Sequence, residues 1–124
     1  DLSCRLNLNC EVLTDKDVEF KKSQICNPQD WAIEITSALG GGAYANPVGG
    51  ANLYQSKSFL ERDIDLLFLI PNSREYEQGG RSFQANLSVL DALLWNGFEG
   101  CRRLVKEFIP VTPEQMPSFG YGIS

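Results

Sequence analysis

Ala43-Tyr44-Ala45-Asn46-Pro47-Val48-Gly49-Gly50, followed after a short interval by Asp65-Leu66-Leu67-Phe68-Leu69-Ile70, decides the fold. Ala43 to Ala45 is small and apolar and reads as a central strand, stopped by Pro47 and the Gly49-Gly50 pair. Ile64 to Ile70 is a near-continuous apolar run between Asp63 and Pro71, the pattern of a strand buried on both faces. Between them, Ser58 and Glu61 have capping-box spacing, which predicts a helix near 56–62.

Upstream, Leu6, Leu8, Cys10 and Val12 alternate with Asn7, Asn9 and Glu11, so a half-buried strand is expected near 6–13. Asn27-Pro28 has the chemistry of an N-cap and first helical residue. The predicted helix, near 28–39, buries Trp31, Ile35, Ala38 and Leu39 and ends at Gly40-Gly41-Gly42. Downstream, Asn72 to Gln84 is loop-like with a Gly79-Gly80 turn. A helix is expected near 87–96 with Leu87, Leu90, Leu93 and Leu94 as its apolar face; Trp95 and Asn96 at its end line the same cavity as the helix start, or Trp95 is simply core. Asn96-Gly97 breaks it, and a last helix near 99–108 buries Cys101, Leu104, Val105 and Phe108. Strands and helices alternating with short connections imply a small, mainly parallel sheet with strands near 6–13, 43–46 and 64–70, an α/β fold in two or three layers. Residues 110–124 hold three prolines and two glycines and are expected to run along the surface.

Length predicts one α/β domain over 1–124. The net charge of -5, without a basic stripe, excludes a broad nucleic-acid footprint. No apolar run approaches the ~20 residues that span a bilayer. With no histidine, imidazole bases and histidine metal sites are excluded from this chain. Cys4, Cys10, Cys26 and Cys101 form no C-x-x-C pair, so no metal site is expected. Reduced thiols and a cytoplasmic location are expected, with a Cys4–Cys10 bridge as the competing case. Met116 is the only methionine, so the chain is expected to be processed or part of something longer.

Each polar cluster has two readings. Gly49-Gly50 offers backbone amides to an anion, or is a tight turn needing positive φ. Ser56-Lys57-Ser58 reaches a phosphate, or starts a helix. Asp63 and Asp65 bind a cation or take a proton, or end a helix in water. Asn86 and Ser88 contact a ligand, or cap a helix. Asp91 lies between Leu90 and Leu93 near the apolar face, where a carboxylate needs a partner or a raised pKa.

The ordered series Tyr44-Ala45-Asn46-Pro47-Val48-Gly49-Gly50, Leu53-Tyr54, Phe59, Ile64-Asp65-Leu66, Phe68-Leu69, Tyr76, Gln78, Asn86-Leu87-Ser88-Val89-Leu90-Asp91 and Asn96 resembles the WbqC-like family of bacterial surface-polysaccharide gene clusters. The resemblance covers roughly Asn27 to Phe108 and implies the C-terminal half of a longer protein, with an N-terminal half absent here. It implies a domain of an O-antigen or capsule biosynthesis enzyme, a transferase modifying a sugar or nucleotide-sugar, with no cofactor indicated. The alternative is a non-catalytic module that completes a partner enzyme's cleft, as a homo-oligomer or with the absent half. By position, Asp91 and Asn46 become candidate catalytic groups, and Gly49, Gly50, Tyr54, Gln78, Asn86, Ser88 and Asn96 candidate ligand contacts. Amides and a tyrosine suit hydroxyl-rich ligands because each donates and accepts. The Asn46 turn and the Asn86 to Asp91 helix start are expected to open onto one hollow.

Overall fold

The computed structural model describes residues 2–14, 16–20, 22, 25–71, 75–85, 87–106 and 108–121. Four α-helices and three strands follow in the order α1 (Leu2–Arg5), α2 (Pro28–Ala38), β1 (Ala43–Pro47), α3 (Ser56–Leu60), β2 (Asp65–Pro71), α4 (Val89–Leu104) and β3 (Phe108–Val111). Short 3-10 helices run over Val48–Leu53 and Pro113–Phe119. The strands form one sheet in the order β1-β2-β3, and β1 pairs with β2 in parallel, which makes this a small α/β fold. The chain divides into two compact units. The first comprises Asp1–Glu11 and Pro71–Ile109, the second Val12–Ile70 and Pro110–Ser124.

The second unit holds the core. Phe59, Phe68, Ile64 and Met116 are fully buried, with Ile33, Leu66, Ile70 and Val111 around them. In β2, burial alternates: Leu66, Phe68 and Ile70 are buried, while Leu67 and Leu69 are half-buried. The apolar run thus has one closed face and one partly covered face. β1 is an edge strand, not the expected central one, and its Ala43, Ala45 and Pro47 are exposed. An edge position also suits Pro47, which has no N–H to give to a ladder.

α2 starts as its sequence predicts. Asn27 accepts from the Asp30 amide at 3.2 Å, and the Asp30 carboxylate accepts in return from the Asn27 amide at 3.1 Å. The helix buries Ala32, Ile33 and Thr36 rather than the expected Trp31, Ala38 and Leu39, which are exposed. Trp31 is instead edge-on to Phe20, with ring centroids 5.3 Å apart. Gly40, at φ 65°, takes the left-handed turn that ends the helix.

Three expectations are corrected. Residues 6–13 form no strand. Leu2–Arg5 is helical, Asn7 turns left-handed at φ 55°, and Leu8, Cys10 and Val12 are exposed. Period-two alternation becomes a strand only where a sheet edge pairs its backbone, and only Leu6 of that face is buried. The last helix stops at Leu104 instead of continuing to residue 108, because Pro110 cannot donate within a helix and the Phe-Ile-Pro-Val stretch forms β3. Residues 110–121 are not a surface tail: Val111 and Met116 enter the core at 2% and 1% exposure. The expected break at Gly97 is present, at φ 61° and ψ -176° within α4.

In the first unit, α1 is tied to α4. The Arg102 guanidinium donates twice to the Arg5 carbonyl, at 2.9 and 3.2 Å, and Arg5 lies 5.4 Å from the Phe98 ring centroid. Cys101 is buried as expected. The α4 face expected to be core is largely uncovered: Leu90 is 64% and Leu94 85% exposed. All four cysteines are free thiols. No helix among the described residues is long and apolar enough to cross a membrane.

Candidate functional site

The polar residues of the sequence motifs fall into both units, and each group is built from its own contacts. In the second unit the Tyr44 and Tyr54 hydroxyls are 3.1 Å apart, and Tyr44 also donates to Asn46 Oδ1 at 3.4 Å. Asn46 Nδ2 donates to the Pro47 carbonyl at 3.0 Å. Gly50 has no positive φ. A Cβ there would displace the end of the Asn46 side chain and rest in ordinary contact with Tyr54. Gly49 is exposed and its missing Cβ faces open space. The Asn46 amide is therefore committed within its own turn, and the two tyrosines close the core edge, Tyr44 stacked on Phe59, Tyr54 edge-on to it, and the two tyrosine rings tilted against each other.

Burial, then the hydrogen bond and charge of Tyr54, push the Tyr44 phenol well above the usual tyrosine range. A raised phenol binds its proton more tightly folded than unfolded. Its stabilising effect is therefore complete below pH about 10, the unfolded value, and is lost as pH rises through the folded value. Chemical denaturation in alkaline buffers is expected to show the urea midpoint falling above pH 10, with the fall reduced in Tyr44→Phe. An identical alkaline profile for the two proteins would contradict this.

The first unit contains a pocket of about 410 Å³. Gln78 and Asp91, two of the sequence-predicted site residues, line it together with Leu87 and Trp95. Arg81, Ser82 and Gln84 complete the lining, and no sequence reading had singled them out. Asp91 has the partners its position demands. Its Oδ2 accepts from the Tyr76 hydroxyl at 2.8 Å and from Gln78 Nε2 at 3.3 Å. Its Oδ1 makes no hydrogen bond to any described residue. Burial, and then the carboxylate that accepts its proton, raise the Tyr76 phenol against a smaller opposing effect of Gln78. Tyr76 thus stays a protonated donor at neutral pH and fixes the orientation of Asp91.

Gln78 is buried and its amide is fully used. Oε1 accepts from the Gln84 amide at 2.8 Å, and Nε2 donates to the Gln84 carbonyl at 3.1 Å as well as to Asp91. The six-residue step from Gln78 to Gln84 is thereby closed into a loop over the pocket. Tyr76 and Phe83 pack edge-on across it at 5.4 Å, and the Glu77 carboxylate accepts from the Gly80 amide at 2.6 Å. Gly79 and Gly80 both have positive φ, 68° and 71°.

Trp95 takes the cavity-lining one of its two expected places rather than the core: it is 50% exposed and packs against Gly79, where a Cβ would overlap the indole. At Gly80 a Cβ would meet nothing. Gly80→Ala is therefore expected to cost only the left-handed penalty, about 1–2 kcal/mol. Gly79→Ala adds the clash and moves Trp95, so its urea midpoint is expected to be lower and its tryptophan emission shifted. Equal midpoints and unshifted emission would show that Trp95 is not held by this contact.

Ser88 caps α4, accepting from the Leu90 amide at 3.2 Å. Asn96 Nδ2 donates to the Ala92 carbonyl at 3.0 Å, one turn back, where the helix breaks. Asn86 lies outside the described residues. The described Cys, Asp and Glu residues form no group of three or more placed to hold a metal ion.

Compared with known protein families, residues 2–103 of the chain match the WbqC-like protein family. The match takes in the N-terminal segment as well as the motifs from Tyr44 to Asn96, and it does not carry the expectation of a C-terminal half. No curated protein and no solved structure matches the chain.

Proposed function

Because the chain belongs to the WbqC-like protein family, we propose that it is a domain of a cytoplasmic enzyme of bacterial surface-polysaccharide biosynthesis, a transferase acting on a sugar or nucleotide-sugar held in the Asp91 pocket. The observation that carries this reading is the state of Asp91. Its Oδ2 is pinned by Tyr76 and Gln78, while Oδ1 keeps its acceptor capacity beside a pocket. A carboxylate so oriented accepts a hydroxyl proton from a sugar, as general base or as the group that aligns the hydroxyl. Gln78 positions Asp91 and closes the loop; Asn46 is left out because its amide is spent in its own turn. Calorimetric titration with nucleotide-sugars tests the reading. Saturable heat with the wild-type chain, lost in Asp91→Ala, supports it.

A second reading rests on the uncovered α4 side chains, Leu90 at 64% and Leu94 at 85% exposure. Exposed apolar clusters of this kind mark protein contacts, and a non-catalytic module completing a partner enzyme's cleft would carry one. Calorimetric silence with every nucleotide-sugar favours that reading over the first.

A further inference from the structure

Building on the reading of this pocket as a sugar site, we propose that its ligand is a sugar carried on a phosphate ester, stacked on Trp95 and held through the phosphate by Arg81. Arg81 lines the pocket and makes no ion pair or hydrogen bond among the described residues. Asp91 is the acid lining the same pocket, and its bonds go to Tyr76 and Gln78. The guanidinium is thus left with its fork of donors, whose geometry matches phosphate oxygens. A chain of net charge -5 gives an anion no help at long range, so a phosphate needs a local cation of this kind.

The Gly80 amide does not supply the contact, since it is already given to Glu77. Ser82, next but one to Gly80, brings a hydroxyl donor into the same lining. The two bonds between Gln78 and the Gln84 backbone hold Arg81 and Ser82 over the pocket before any ligand arrives, which lowers the cost of binding.

Trp95 supplies the apolar half of the recognition. A half-exposed indole backed by Gly79 contributes little to a core, yet it is wedged in place and lines the pocket. Small-molecule sites join such aromatic surface to a few polar groups. A pyranose needs both, its C–H face against the ring and its hydroxyls against Asp91.

Calorimetry on the whole chain tests the assignment. The probes are the 1-phosphates of glucose, galactose and N-acetylglucosamine, the three free sugars, and inorganic phosphate. At least one sugar phosphate is expected to bind at least tenfold more tightly than its free sugar. Arg81→Gln is expected to weaken that ester about ten- to a hundredfold, the worth of a charge-assisted pair, and to leave the free sugar unchanged. Trp95→Ala weakens both, and Trp95→Phe restores part of the loss. Circular dichroism of each variant confirms that it is folded. If esters and free sugars bind alike, or if Arg81→Gln changes nothing, the phosphate assignment is overturned and the sugar pocket stands. If inorganic phosphate binds as tightly as the esters and Trp95→Ala has no effect, the stacking assignment is overturned. If no probe binds the wild-type chain, the sugar reading of the pocket falls and this assignment with it.

Discussion

Phe68→Ala is expected to lower the stability of the fold by about 3–5 kcal/mol, the cost of emptying a large aromatic site in a packed core. Phe68 is fully buried in the middle strand of the sheet, in register with Asn46 on β1 and 6.4 Å from the Tyr54 ring. No neighbour can collapse into the space without breaking the parallel pair or the tyrosine edge. Since a domain is commonly stable by about 5–15 kcal/mol, this substitution removes a large part of the total. Phe68→Leu keeps most of the volume and is expected to cost no more than about 1.5 kcal/mol. Leu94→Ala, at a site 85% exposed, is expected to stay within about 0.5 kcal/mol. Urea midpoints order the three variants. A Phe68→Ala midpoint no lower than that of Leu94→Ala would contradict the placement of the core.

On the proposed role in surface-polysaccharide synthesis, Asp91→Asn is expected to reduce surface-glycan output by about 10²–10⁴-fold if Asp91 removes a proton in the reaction, the usual worth of a positioned base. The amide has the carboxylate's shape, and its oxygen still accepts from Tyr76, so the loop and helix are expected to stay in place. What is lost is the basic Oδ1, which makes no hydrogen bond to any described residue. The protein carrying the substitution is returned to cells lacking their own copy, and glycan is measured by gel profile. Unchanged output at normal protein level would remove Asp91 from the mechanism. A Km increase with kcat preserved in the purified enzyme would assign it to binding the substrate rather than to proton transfer.

Local signals in the sequence were read correctly where the local physics suffices. Asn27-Pro28 predicted the start of α2, Asn96-Gly97 the break in α4, and the 64–70 run predicted β2. Cooperative features were missed. The 6–13 alternation carries the period of a strand, but a strand also needs a free sheet edge, and no residue in the segment encodes one. Leu90 and Leu94 have core periodicity, yet both are exposed.

Asp91 was legible because a carboxylate among leucines must find partners; which partners it finds was not. Tyr76 and Gln78 reach it from 15 and 13 residues away, through a loop held by long-range side-chain bonds. Arg81 and Ser82 looked like ordinary residues after a glycine turn. Only the Gln78–Gln84 closure gives them a pocket to face. Gly50 carried a signal that was misread: it has no positive φ, and a Cβ there would instead meet the end of the Asn46 side chain.

The most direct test of the central claim, that the Asp91 pocket is where a sugar ligand binds, is an NMR titration of the ¹⁵N-labelled chain with UDP-hexoses, following its two indole N–H signals. Trp95 lines the pocket, and Trp31 packs on Phe20 in the second unit, so each signal reports on its own unit. The account predicts that the Trp95 signal shifts saturably while the Trp31 signal stays still. A shift at Trp31 with none at Trp95, or no shift at either, would contradict it.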